Sequence, residues 1–161
     1  MNPFYQVASA VLFMFLCTSA DSETLKKAYL DAKGNVHLIT EKGKHQQLTH
    51  EGNATSLKLA ANNETVGWLV KNSWRPPGER TPGSEELVIH RHGKSASIKC
   101  TPFIRDYWFW QSGSQVAINC GGLHFAGREI LYDTSSLREV ASFDEADVPL
   151  ASRPNWSNND D

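Results

Sequence analysis

The sequence is short of the features that announce chemistry. It has no Gly-x-Ser-x-Gly elbow, no His-Glu-x-x-His and no Cys-x-x-Cys, so the common hydrolase, zinc-protease and thiol-redox patterns are missing. Net charge is nearly nil: 16 Lys and Arg stand against 18 Asp and Glu, a formal −2 at pH 7. That removes the electrostatic reason to expect nucleic acid or an anionic membrane surface as partner. Cysteine is scarce, with three residues. No segment beyond the N-terminus keeps a helical apolar period over about ten residues, which argues against a helical bundle.

What is present is the composition of one globular domain. The 161 residues are 40% hydrophobic, 21% charged and 10% aromatic, enough for a real core. Five Trp and seven Phe matter in a thin all-β core, where aromatics supply most of the burial. Val7 to Cys17 (VASAVLFMFLC) is an uncharged apolar run followed by Thr18-Ser19-Ala20, small residues of the kind a signal peptidase requires. The domain reading is therefore a signal peptide over 1–20, a folded domain over 21–148 and a flexible polar tail over 149–161. The first basic residue is Lys26, so a retained anchor is the alternative, although the run is shorter than the roughly 20 residues of a spanning helix. Leu16 before Cys17 does not fit a bacterial lipoprotein signal. Cleavage leaves Cys100 and Cys120, an even pair read as a disulfide in an oxidising compartment.

The rest of the chain reads as short strands punctuated by turns. Thr55 to Ala60, Thr65 to Lys71, Glu85 to Arg91 and Ser95 to Lys99 are followed by Ile104 to Trp110, Gln115 to Cys120, Arg128 to Asp133 and Leu137 to Phe143. Both sets run short turn, long loop, short turn, and Thr55 and Ile104 lie 49 residues apart, the period of a four-stranded propeller blade. Upstream, Lys26 to Asp31, Asn35 to Thr40 and Lys44 to Thr49 supply three more strands, with Gly34 and Gly43 in the turns. The expected fold is all-β, built of about three antiparallel blade-like units, open or sandwich-like.

YLDAKGNVHLITEKGKHQQLTHEGNATSLKLAANNETVGWLV, about 45 residues with its Asp-x-x-Gly turn and Gln47-Leu48-Thr49 ending, resembles the WD40-like β-propeller repeat of TolB-type periplasmic proteins. The resemblance implies a secreted or periplasmic binding scaffold. Three blades cannot close a propeller, so the flanks need cover. Either the blades pack as an open sandwich, with Pro76, Pro77 and Pro82 blocking further pairing, or a homodimer shares the missing surface.

In such a scaffold the long loops emerge on one side. Trp74, Arg75, Phe103, His124 and Phe125 would cluster there as a protein-contact face, unless Trp74 and Phe125 fold inward to cap the core. Gly121-Gly122 is a weak anion-nest pattern. His90 and His92, two apart on a strand, share a face but lack a third ligand, and Asp144, Glu145 and Asp147 form an acidic patch without a marked partner. The functional reading is a non-catalytic binding module without metal or cofactor, docking a protein partner in the cell envelope. The alternative is an inhibitor or immunity protein that plugs a secreted cell-wall hydrolase; sugar stacking on Trp74 and Trp110 is a third reading. Asn53, Asn63 and Asn155 open glycosylation sequons.

Overall fold

The computed structural model describes residues 24–71 and 83–157. Among these residues eleven strands form three antiparallel sheets, each a run of neighbours in chain order. The first holds β1 (Leu25–Leu30), β2 (Val36–Thr40) and β3 (His45–Gln47). The second holds β4 (Ala54–Leu59), β5 (Thr65–Val70), β6 (Glu86–Arg91) and β7 (Lys94–Lys99). The third holds β8 (Ile104–Trp110), β9 (Gln115–Cys120), β10 (Arg128–Asp133) and β11 (Glu139–Asp144).

Local chemistry explains the turns. Asp31 accepts the Lys33 and Asn35 N–H groups at 2.9 and 2.8 Å and tightens the β1–β2 hairpin, an Asx-type turn in which the side chain replaces a backbone acceptor. Gly34 completes it at φ +85°, where a Cβ would meet the Gly52 carbonyl. At the β4–β5 turn the Asn62 carboxamide oxygen plays the same part, accepting Glu64 and Thr65 N–H groups at 3.0 and 3.1 Å.

The sheets stack with the second in the middle. Leu25, Val36 and Leu38 of the first sheet meet Ala54, Val66 and Trp68 of the second. On the other side Leu69, Leu87, Ile89 and Ile98 meet Ile104, Tyr107, Val116, Ile118 and Ile130 of the third. Strand β5 (TVGWLV) is therefore covered on both faces, which is why it reads as a nearly continuous apolar run instead of alternating.

The outer face of the third sheet is covered by the chain's own end. Trp108, Ala117 and Leu131 pack with Trp110, Ala141 and Trp156. The Trp108 indole N–H donates to the Trp156 carbonyl at 2.7 Å, and Arg153 pairs with buried Glu129 at 3.2 Å. Two 3₁₀ turns, Leu150–Ser152 and Asn155–Ser157, bring these groups into place. The sequence expectation of a polar tail over 149–161 reaches past the described residues, which end at Ser157. Two anchors, Arg153 and Trp156, are enough to dock it up to Ser157.

The propeller assignment is overturned. None of the three sheets is closed or curled, and they do not form a blade arrangement. The chain is all-β, but the likeness to WD40-like TolB-type repeats does not extend to its fold. A repeat of four hairpin-connected strands sets the number and order of strands in a sheet. It does not set how successive sheets are placed around an axis.

A close approach at Gly67 locks the second sheet to the third. The Tyr107 ring enters where a Cβ on Gly67 would lie 2.9 Å from its Cε2, and the hydroxyl sits 2.6 Å from both the Ser56 and Gly67 carbonyl oxygens. Nearby, Cys100 and Cys120 form a disulfide with Cα atoms 5.9 Å apart, tying the approach to β8 to the end of β9. Two outcomes follow in denaturant titrations. Tyr107→Phe leaves the Ser56 and Gly67 carbonyls unpaired by the hydroxyl and should lower stability by about 1–3 kcal/mol, with Gly67→Ala costing a similar amount through overpacking. Reducing the disulfide, which closes a 20-residue separation, should cost about 3 kcal/mol by the chain-entropy account. Unchanged midpoints would contradict either assignment.

Candidate functional site

Two clefts open between the second and third sheets. The larger, about 610 Å³, is lined by Lys58, Leu59, Ala60, Ala61, Trp108 and Phe109 with the Ser112–Gly113 turn. Its cation is already engaged. Lys58 pairs with Asp106 at 3.0 Å, donates to the Tyr107 carbonyl and lies 4.8 Å from the Tyr107 ring centre.

The second cleft, about 410 Å³, has a different balance. Its floor is Ile89, Ala96 and Leu137, and its rim carries Arg91, His92 and Lys94 with the hydroxyls of Ser95, Thr134 and Ser135. Strand β6 ends at Arg91, and a tight turn through His92 (φ 49°) and Gly93 (φ 73°) starts β7 at Lys94, so three basic side chains fall within four positions. The opposite wall is the β10–β11 turn. Asp133 holds it by accepting the Ser135 and Ser136 hydroxyls at 2.6 and 2.8 Å and their N–H groups at 3.1 and 2.8 Å. Thr134 fastens the turn to the neighbouring 3₁₀ turn by donating to the Gly113 carbonyl at 2.8 Å.

Arg91 is the under-satisfied group of this cleft. Nη1 reaches Thr134 Oγ1 only at 3.4 Å, and Nη2 lies 3.8 Å from Glu64 Oε2. That same carboxylate oxygen is 3.2 Å from His92 Nε2. The Arg91 Nε is buried with no hydrogen-bond partner, and Lys94 makes no ion pair among the described residues. A guanidinium whose terminal nitrogens hold their acceptors only at 3.4 and 3.8 Å keeps donor capacity for an anion.

Three of the five sequence-predicted contact residues, Phe103, His124 and Phe125, are among the described residues. Trp74 and Arg75 lie outside the described residues, as does the N-terminal apolar run. Phe103 is 7% exposed and belongs to the core. His124 and Phe125 are exposed at the tip of the loop between β9 and β10, Phe125 at 63%. Arg105 anchors that loop, pairing with Glu145 at 3.0 Å and donating to the Phe125 carbonyl at 2.7 Å. Glu145 also accepts the Gly127 N–H at 2.6 Å and the Asn119 carboxamide at 2.9 Å. Burial raises the Glu145 carboxyl, but these donors outweigh it and leave it below its ordinary value. The binding mode drawn from a propeller loop face, and the plug-like inhibitor built on the same scaffold, fall with the propeller.

The histidines are placed differently from the strand-face expectation. His90 is buried, within hydrogen-bonding distance of Ser95 Oγ at 2.9 Å, and burial pushes its pKa down. His92 sits in the turn, paired with Glu64. On the first sheet His37 is stacked between Tyr29 and His45, with ring centres 5.1 and 5.2 Å apart, and Asp31 lies 3.2 Å from its Nε2. Among the described residues no group of three His, Cys, Asp or Glu is placed to hold a metal ion.

Sequence reasoning missed Arg91, Lys94 and the Thr134–Leu137 turn. The only local signal was the R-H-G-K spacing, which says nothing of a wall 40 residues downstream. No known family model matches the chain, and no curated protein matches it.

The turn wall carries a measurable signature. Hydrogen bonds from Ser135 and Ser136 hold the Asp133 carboxyl at about 2, against an ordinary 3.8. Because the folded value is depressed, its stabilising contribution is complete above the unfolded value and is lost as pH falls through about 2. Carboxyl-carbon NMR should find that titration near 2, and Ser135→Ala with Ser136→Ala should move it up towards 3.8.

Proposed function

We propose that the chain is a non-enzymatic binding domain whose ligand is a small amphipathic monoanion, a carboxylate on a short aliphatic chain, held in the Arg91 cleft. The observation that supports it is the Arg91 guanidinium, which lines an apolar-floored cleft and meets its own partners, Thr134 and Glu64, only at 3.4 and 3.8 Å. A carboxylate matches the planar guanidinium fork and forms the stronger, charge-assisted kind of hydrogen bond. Lys94 adds a second positive charge that Glu64, already shared by Arg91 and His92, does not meet. Ile89, Ala96 and Leu137 offer the aliphatic chain a surface away from water, at about 25 cal/mol per Å² buried. The cleft is of the size usual for small-ligand sites.

The setting we propose is periplasmic or extracellular, supported by the Cys100–Cys120 disulfide, which persists in oxidising compartments. Isothermal titration with octanoate tests the function. Binding in the range of about 0.1–1 mM, worth roughly 4–5.5 kcal/mol, is expected. Arg91→Gln should weaken it by at least about tenfold through loss of the charged hydrogen bond, and octanol should bind no better than to that variant. Absence of heat at saturating octanoate, or equal affinity in Arg91→Gln, would overturn the reading.

A further inference from the structure

Three sheets leave six edge strands, and the fold disposes of most of them. β1 lies against β4, and β4 reaches β8 through the Lys58–Asp106 pair, so these three edges line one side of the stack. β3 is three residues long, too short to carry much pairing. That leaves β7 and β11, each of six residues and each, among the described residues, paired on one side alone. They sit on the same side of the molecule. The start of β7 and the turn that leads into β11 are the two walls of the Arg91 cleft.

The two edges are complementary in charge. β7 is KSASIK, with Lys94 and Lys99 at its ends, and β11 is EVASFD, with Glu139 and Asp144 at its ends. All four end residues are exposed. Pairing β7 with a second β7 sets lysine beside lysine in either direction, and pairing β11 with a second β11 sets carboxylate beside carboxylate. Like charges across strands repel, so both self-pairings are blocked in the way edge strands are ordinarily protected. Mixed pairing is favoured in either direction. The alternation of the antiparallel ladder, fixed by the Cys100 N–H to Glu85 carbonyl bond, turns the N–H and C=O groups of Ser95, Ser97 and Lys99 away from β6 towards the open edge. On β11 the corresponding outward residues are Ser142 and Asp144, fixed by the Glu145 N–H to Gly127 carbonyl bond, with Val140 nearby, a large apolar side chain that stays exposed.

We propose that the partner of these edges is a second copy of this chain, with β7 of one protomer running beside β11 of the other. A two-fold axis between the second and third sheets, parallel to their strands, makes both pairings at once. Lys94 then meets Glu139 of the second copy and Lys99 meets its Asp144. The dimer is closed, because both complementary edges are used, and no filament grows from it. Two four-stranded sheets in each protomer become two continuous eight-stranded sheets across the pair. Arg128, now 3.1 Å from Glu139 within its own sheet, shares that carboxylate with the incoming lysine.

Sedimentation equilibrium of the full chain from about 1 to about 200 µM tests this, since association depends on concentration. The wild-type chain should pass from monomer to dimer, with the transition moving to higher concentration as salt is raised. Lys94→Glu with Lys99→Glu should raise the dissociation constant at least tenfold, and so should Glu139→Lys with Asp144→Lys. A 1:1 mixture of the two charge-reversed proteins should recover the dimer, because each then offers the edges the other lacks. Lys94 also lines the ligand cleft, so Ser97→Pro separates the two sites: it removes an outward N–H without touching the β6 ladder or the cleft, and should abolish the dimer while octanoate binding persists. A wild-type chain that stays monomeric throughout, charge-reversed proteins that each still dimerise, or a mixture that stays monomeric would overturn the proposal.

Discussion

The structure depends on a tyrosine entering a sheet where one residue has no side chain. Tyr107 comes from the third sheet and reaches the backbone of the second at Gly67, and its hydroxyl meets carbonyls that the β4 ladder leaves exposed where its register slips between Thr55 and Lys58. Ser56 takes a positive φ of 50° in that slip, which aims its carbonyl at the ring. Lys58, just beyond, reaches back over the same ring to Asp106 and the Tyr107 carbonyl. Burial raises the Tyr107 pKa, so the hydroxyl stays a proton donor at any ordinary pH. One residue thus supplies apolar contact, hydrogen bonds and a seat for a cation.

Pinning the sheets along β4 and β8 makes the two clefts unequal. On the pinned side Lys58 has an acid, a carbonyl and a ring, and its charge is spent. On the far side Arg91 has a hydroxyl at the limit of hydrogen bonding, a distant shared carboxylate and an N–H with no acceptor. The two cations differ because Asp106 stands next to Tyr107 in the chain, whereas the far wall is a turn whose carboxylate, Asp133, turns one oxygen to its own serines. The outer faces differ in the same way. The third sheet is covered through Trp156 and Arg153, and the first presents Tyr29, His37 and His45 packed against one another.

The legible parts of this chain were the local ones. Strands at Ile104 to Trp110, Gln115 to Cys120 and Arg128 to Asp133 stand where β-branched and aromatic residues and turn chemistry put them, and the others differ by one to three residues at their ends. The disulfide was legible too, because two cysteines flanking a hairpin have few other partners. The site was not. Arg91 and Thr134 are 43 residues apart, and no spacing rule places two hairpin turns on opposite walls of one cleft. Phe103, taken for a surface aromatic, lies in the core, since aromatic type alone does not say which side of a loop faces inward.

From sequence alone came the all-β class, the order and grouping of the strands and the Cys100–Cys120 pair. Each rests on interactions a few residues long or on a hairpin that brings its own ends together. The tertiary structure decided that the sheets stack without closing, that residues up to Ser157 form a cover, and that Arg91 is left in a cleft with only long contacts to Thr134 and Glu64. Sheet-on-sheet packing is set by the summed shapes of side chains from distant strands, and a single vacancy such as the missing Cβ of Gly67 fixes where two sheets meet. That vacancy has meaning only once Tyr107 stands opposite it.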